Sequence, residues 1–318
     1  MKTGSMRHPR LATLLGILAL GAPGASAGPR VDYLYRLSDF SGIVPFGDVR
    51  LYVDRAHDEV YVGDASTIRI FDGSGMEVYS FGHDPELGSL RDLAVDEGGD
   101  ILIMTYQYDD DGGPGYGIAR CDYRGRLRSR IALTGLPEAL ADFRPDKMRY
   151  FEGQVYLVSS PDMRVVVTDR DGAFIRSLDL ATLIDLPPGE RPGTKLSGFH
   201  LDASGNMLFT VPVLFAAFVV SPQGEVRSFG RVGSGPGMFG IVSDIVSDGH
   251  GNYLVADKLR SVVMIFDASF GFVEEFGYLT TRPDGLIRPS TLAVSGSGRL
   301  YVTQMRHNGI SVFDLGSE

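Results

Sequence analysis

The 318-residue chain carries 30 Lys and Arg against 40 Asp and Glu, a formal net charge of -10, with 43% hydrophobic residues and 41 glycines. An acidic surface repels phosphate backbones, so the balance argues against a nucleic-acid partner. Cys121 stands alone, which excludes an internal disulfide, and its simplest reading is a small residue in a strand.

Residues 1–27 read as a cleavable signal peptide. Lys2, Arg7 and Arg10 precede the apolar run Leu11 to Leu20, and Ala25-Ser26-Ala27 forms a small-residue cleavage site. Its removal takes away three positive groups and no acid, leaving -13. The apolar run is too short to anchor in a bilayer, and no later stretch reaches the roughly 20 residues a span requires. No Cys stands at the cleavage point to take a lipid. The predicted product is soluble and exported, secreted or periplasmic, with no membrane span.

Residues 28–318 are predicted as one domain of repeats. Tyr33-Leu34-Tyr35-Arg36-Leu37 is a lone strand near the amino end, within the segment 31–40. Six units follow, over roughly 48–82, 89–133, 145–180, 196–230, 242–277 and 289–315. Their clearest marker is the third strand of each: Ile68 to Asp72, Ile118 to Asp122, Val165 to Asp169, Phe218 to Ser221, Met264 to Asp267 and Ile310 to Asp314. A Gly turn and a fourth strand follow in five units, as in Glu77 to Gly82 and Phe272 to Gly277, but Phe313-Asp314 leaves no room for one. The strand at 31–40 supplies it. Each four-stranded unit alternates apolar and polar residues but cannot cover its own faces, so such units stack around an axis. The expected fold is an all-β, six-bladed β-propeller of four antiparallel strands per blade, the last blade completed by the amino-terminal strand.

The repeat resembles the NHL repeat, whose units read as an aliphatic strand ending in Asp, then Gly-Asn, Tyr-Val-x-Asp and Arg-Ile-x-x-Phe. The likeness is carried by Leu93 to Asp96, by Asp248-Gly249-His250-Gly251-Asn252-Tyr253-Leu254-Val255-Ala256-Asp257, and by Val60 to Asp64 with Arg69 to Asp72. The third and fourth units depart from it, with Val158-Ser159-Ser160 and Thr210-Val211-Pro212 in place of Val-x-Asp. The absence of Trp disfavours the WD-repeat alternative. Some NHL domains bind RNA on a basic face, an activity the acidic charge does not support here.

By strand parity the short Gly turns share one end of the ring and the long connections the other. Those long connections are Phe81 to Leu90, Tyr106 to Gly117, Thr134 to Lys147, Ala181 to Ser197, Arg231 to Ser243 and Tyr278 to Ser290. Loops on a rigid scaffold are where binding residues concentrate. Aligning the innermost strands on Leu51, Leu93, Met148, Phe199, Ile245 and Leu292 places Arg50, Asp92, Lys147, Gly198, Asp244 and Thr291 at one level. Two residues on come Tyr52, Ala94, Arg149, His200, Val246 and Ala293. Arg50, Asp92, Lys147, Arg149, His200 and Asp244 are the ligand-binding candidates, suited to an anionic or zwitterionic ligand. The competing reading is a channel lined by compensating charges.

No cofactor is predicted. Asp109, Asp110 and Asp111 offer the oxygens a calcium ion takes, but without the EF-hand spacing, and a solvated turn competes. Resemblance to peptidyl-hydroxyglycine amidating lyases implies zinc-binding His at the openings of inner strands. At those places stand Val49, Arg91, Asp146, Ser197, Ser243 and Ser290. Gluconolactonase-like propellers imply carboxylates around an axial calcium, for which Asp92 and Asp244 are the candidates, beside three cations that oppose it. The functional expectation is a non-catalytic binding or scaffold propeller presenting its long-loop face to a protein, peptide or glycan. The alternative is a hydrolase or lyase with a carboxylate-bound metal on the axis.

Overall fold

The computed structural model describes residues 30–39, 42–43, 49–64, 67–82, 88–108, 114–305 and 309–316. Residues 1–27, read above as a signal peptide, Asp109 to Asp111, and Phe40 of the predicted closing segment lie outside them.

Among the described residues, six four-stranded antiparallel sheets form the ring, and a two-stranded one joins Ser38–Asp39 to Gly42–Ile43. Blade I runs Arg50–Asp54, Glu59–Gly63, Thr67–Phe71 and Glu77–Gly82 from axis to rim. Blade II runs Ser89–Val95, Ile101–Tyr108, Pro114–Cys121 and Leu127–Ile131. Blade III runs Lys147–Phe151, Gln154–Ser159, Arg164–Asp169 and Phe174–Asp179. Blade IV runs Phe199–Leu201, Met207–Val211, Ala216–Val220 and Val226–Phe229. Blade V runs Val242–Ser247, Tyr253–Asp257, Val262–Phe266 and Phe272–Gly277.

Blade VI has three strands from the carboxyl end, Pro289–Val294, Arg299–Gln304 and Ile310–Gly316. Its outer strand is Arg30–Arg36, paired antiparallel to Ile310–Gly316 from Arg30 opposite Gly316 to Arg36 opposite Ser311. The Leu37 amide extends this seam by donating to the Ile310 carbonyl at 2.9 Å, and its side chain is fully buried. The inner strands touch in sequence around the axis, and the last touches the first, which closes the circle.

Apolar burial follows from this arrangement. Successive strand residues face opposite sides of a sheet, so a central strand with apolar residues at every position serves two neighbours at once. In blade II, Ile101 and Ile103 enter the core shared with blade I, while Leu102 and Met104 enter the core shared with blade III. Each of six core clusters joins two adjacent blades, including the one where Leu37, Ile310 and Val312 meet Leu51 and Val60. Cys121 belongs to the blade I–II core, fully buried, and that burial pushes its thiol up to about 11.

The Asp that ends many strands has a local cause. The Oδ1 atoms of Asp72, Asp96, Asp122, Asp169, Asp202, Asp248 and Asp267 each accept the amides two and four residues on. One short carboxylate thus satisfies the donors of a tight hairpin, the Asx arrangement that favours Asp in turns.

One predicted long connection is shorter than expected. Tyr106 pairs with Tyr116 and Thr105 with Gly117, so most of the stretch from Tyr106 to Gly117 is an extended hairpin. Aromatic residues such as Tyr106 and Tyr116 favour a pleated strand over a loop. The connection from Ala181 to Ser197 holds a short helix, Leu180–Leu183, capped by the Asp179 carboxylate accepting the Thr182 amide at 2.9 Å. Leu186 and Leu196 anchor that connection in the blade III–IV core.

Candidate axial site

The inner strands start at the loop-bearing end, and their first residues line a cavity of about 540 Å³. All six positions of the first aligned level reach it: Arg50, Asp92, Lys147, Gly198, Asp244 and Thr291. Tyr52, Arg149, His200, Val246 and Ala293 of the second level line a separate space of about 290 Å³ toward the short-turn end. Arg149 borders both. The six candidates therefore do not share one mouth. His200 faces the narrow end, because it lies one pleat period deeper than the residues aligned with Arg50.

The two buried carboxylates are occupied by the fold. Asp92 accepts the Leu93 amide at 3.0 Å, and across the blade boundary the Met148 amide at 2.8 Å and Arg149 Nη1 at 2.9 Å. Asp244 repeats this three blades on, across the axis, accepting the Ile245 amide at 3.0 Å and the Leu292 amide of the next blade at 2.8 Å. Strand register shifts at both places, between Leu90 and Asp92 and between Val242 and Asp244. Such bulges re-aim a side chain, here onto the neighbouring backbone. Gly198 is the counterpart of this packing: a Cβ there would lie 2.0 Å from Asp244 Oδ1 and 2.6 Å from its Cα.

Asp244 also meets His200 Nε2 at 3.0 Å. Burial pushes the His200 imidazole down against the pull of Asp244, and Arg149 lowers it further. Burial alone would raise the Asp244 carboxyl, but the facing His200 and the Leu292 amide outweigh it and hold it below the ordinary range. An ionised carboxylate only accepts, so neutral His200 carries its proton on Nε2, which leaves Nδ1 as an acceptor.

Sequence alignment missed three charged residues of the mouth as ligand candidates: Arg91, Asp146 and Lys258. Arg91 and Asp146 precede the aligned level by one residue, so a search confined to that level passes over them. Lys258 follows the second strand of blade V, directly after Asp257. That Asp has a structural duty: fully buried, it accepts the amides of Gly240, Ile241, Leu259 and Arg260 at 2.6 to 3.1 Å. The Val-x-Asp signature thereby ties the blade IV–V connection to the neighbouring turn and positions Lys258 at the rim.

Electrostatically the mouth opposes the chain as a whole. Five cationic side chains, Arg50, Arg91, Lys147, Arg149 and Lys258, line it against three carboxylates. The third carboxylate, Asp146, accepts the Ser160 amide at 2.6 Å. Among the described residues, Lys147 has no ion-pair partner and neither does the Arg91 guanidinium. A divalent cation does not suit this donor set, since backbone amides with Arg149 take Asp92, backbone amides with His200 take Asp244, and repulsion from the lining cations adds to the cost. Among the described residues no three His, Cys, Asp or Glu side chains gather in metal-holding geometry.

At the narrow end Arg55 of blade I donates to the Val294 carbonyl at 3.0 Å and the Ser247 carbonyl at 3.1 Å. Tyr52 donates to the Val95 carbonyl at 3.2 Å. These side chains knit blade I to blades II, V and VI beneath the cavity.

No family model matches the chain, and no curated protein does either. Solved structures share its fold. A protein of unknown function from Bacteroides thetaiotaomicron is 13% identical with a TM-score of 0.60, covering 89% of this chain and 75% of its own. Streptogramin B lyase is 11% identical with a TM-score of 0.56, over 90% and 98%. A catalytically inactive His-to-Ala variant of virginiamycin B lyase from Staphylococcus aureus, solved with quinupristin, is 11% identical with a TM-score of 0.57, over 90% and 99%. At such identities the likeness is one of fold.

Proposed function

We propose that the chain is an exported NHL-type propeller that binds the anionic group of a protein, peptide or glycan in its axial mouth, without catalysing a reaction. The observation that carries this reading is the surplus of cations around a concave site in an acidic protein. The carboxylates that would neutralise that surplus are engaged by backbone amides, whereas Lys147 and Arg91 point at a space of ligand size. Guanidinium and ammonium groups so placed recognise carboxylate or phosphate oxygens. The repeat pattern and the amino-terminal segment support the NHL-type and exported parts of the proposal.

The test is affinity capture from envelope extract by the wild type and by an Arg91→Glu/Lys147→Glu double variant. The wild type is expected to retain an acidic ligand that high salt releases, and the variant to lose it. Equal retention by both would overturn the reading.

A lyase is the second reading, favoured by the His200–Asp244 pair, whose Nδ1 is an acceptor at the narrow cavity, and by the lyases among the structural neighbours. Incubation with quinupristin, followed by mass spectrometry, separates the two. The binding reading predicts that the compound stays intact; its consumption by wild type but not by His200→Ala would favour the lyase.

A further inference from the structure

The loop-bearing face is divided in a way the mouth alone does not explain. Its cationic side belongs mainly to blades I–III, through Arg50, Arg91 and Lys147. Around blades IV–VI the same face carries large apolar side chains in the open: Val232 at 64% exposure, Leu259 at 67% and Leu279 at 71%, with Ile241 and Met305 also exposed. Among the described residues, blades I–III contribute only Tyr106 of this kind to that face. The apolar arc and the mouth are continuous. Met305 lines the cavity itself, Leu259 follows the lining residue Lys258, and the Lys258 amide donates to the Ile241 carbonyl at 2.8 Å. Gly240 leaves room for Leu259, whose Cβ would stand 3.2 Å from a Cβ added there.

Exposed apolar side chains bordering a polar concavity are the kind of surface that an interaction site offers a partner. Here the charge beside it says which chemistry fits: an anion at one end and separate apolar groups along an arc over three blades. We infer that this face takes the carboxyl-terminal end of an apolar peptide segment, its terminal carboxylate between Lys147 and Arg91 and its side chains on Leu259, Ile241 and Met305. The inference rests on the anion-binding reading of the mouth and deepens it. An acidic glycan fits less well, because the arc is mostly aliphatic, with Tyr278 beside Leu279 as its one exposed aromatic ring among the described residues. A fatty acid would want one continuous enclosed channel, whereas the apolar groups here are spread across open connections.

The experiment is fluorescence anisotropy with short labelled peptides ending in leucine and valine with a free carboxylate. Their carboxamide twins, serine-substituted twins, an oligouronate and oleate complete the panel. The free-acid apolar peptide is expected to bind, with its amide, its serine twin and the Leu259→Ser/Ile241→Ser variant each weaker by about tenfold, which corresponds to about 1.4 kcal/mol. Equal binding of acid and amide, no effect of Leu259→Ser/Ile241→Ser, tighter binding of oleate or oligouronate, or no peptide bound at all would overturn the inference. The mouth reading is judged separately, by whether Lys147→Glu abolishes binding of the carboxylate-bearing probes, oligouronate included. If it does while the apolar substitutions change nothing, the anion site stands and the peptide inference falls.

Discussion

Two residues at the axis show how closely structure and charge are joined. Gly198 has no side chain because the Asp244 carboxylate fills the place where one would be. Gly198→Ala should therefore displace Asp244 from the Leu292 amide and destabilise the protein by about 1–3 kcal/mol, the range for overpacking. Urea denaturation checks this, and an unchanged midpoint would mean the contact relaxes freely. His200 is buried with its imidazole held below its ordinary value. A folded state that resists protonating a His takes up fewer protons than the unfolded chain, so its stability is full above the unfolded value near pH 6.5 and declines as pH falls below it. The melting temperature should drop from pH 7 to pH 5, and His200→Gln should flatten that slope. Parallel slopes would show that His200 does not titrate in this way.

At the scale of strands and turns, much was legible. Period-two apolar runs, the Asp-Gly turns and the unit lacking a fourth strand together imply six sheets and a shared last blade, because each reports backbone geometry that side-chain chemistry dictates locally. Aligning inner strands on Leu51, Leu93, Met148, Phe199, Ile245 and Leu292 also yields the six residues around the wide cavity. Bulges were not legible. The register shifts before Asp92 and Asp244 turn both carboxylates onto the next blade's amides, which no alignment of regular strands can anticipate. Lys258 escaped for a related reason, since its place depends on how Asp257 gathers two amides of the blade IV–V connection and two of its own turn. The closing strand is the element with the most at stake. Tyr33 packs edge-on to Phe313 with ring centroids 5.6 Å apart, and Leu37 sits in the blade VI–I core. Deleting 31–40 removes several such contacts at once, so the loss should exceed the roughly 2–5 kcal/mol of a single large core truncation and lower the melting temperature steeply. A truncated protein that melts like its parent would contradict the velcro-like pairing of the two ends.

For the molecule as a whole, closure sets the functional geometry. A ring of blades brings one inner-strand terminus from each blade to a single point, so single charges far apart in sequence become neighbours around one opening. In a protein of net charge -10 that opening has more cations than acids. Low-dielectric walls focus such a field, which on the proposed reading draws a negative ligand to the mouth. The most direct measurement is the thermal shift of wild type and Lys147→Glu with a set of small apolar carboxylic acids and the matching amides. The account predicts that the acids alone raise the melting temperature of the wild type and that the substitution abolishes the rise. Stabilisation by acid and amide alike, or an undiminished rise in Lys147→Glu, would contradict an anion-capturing mouth.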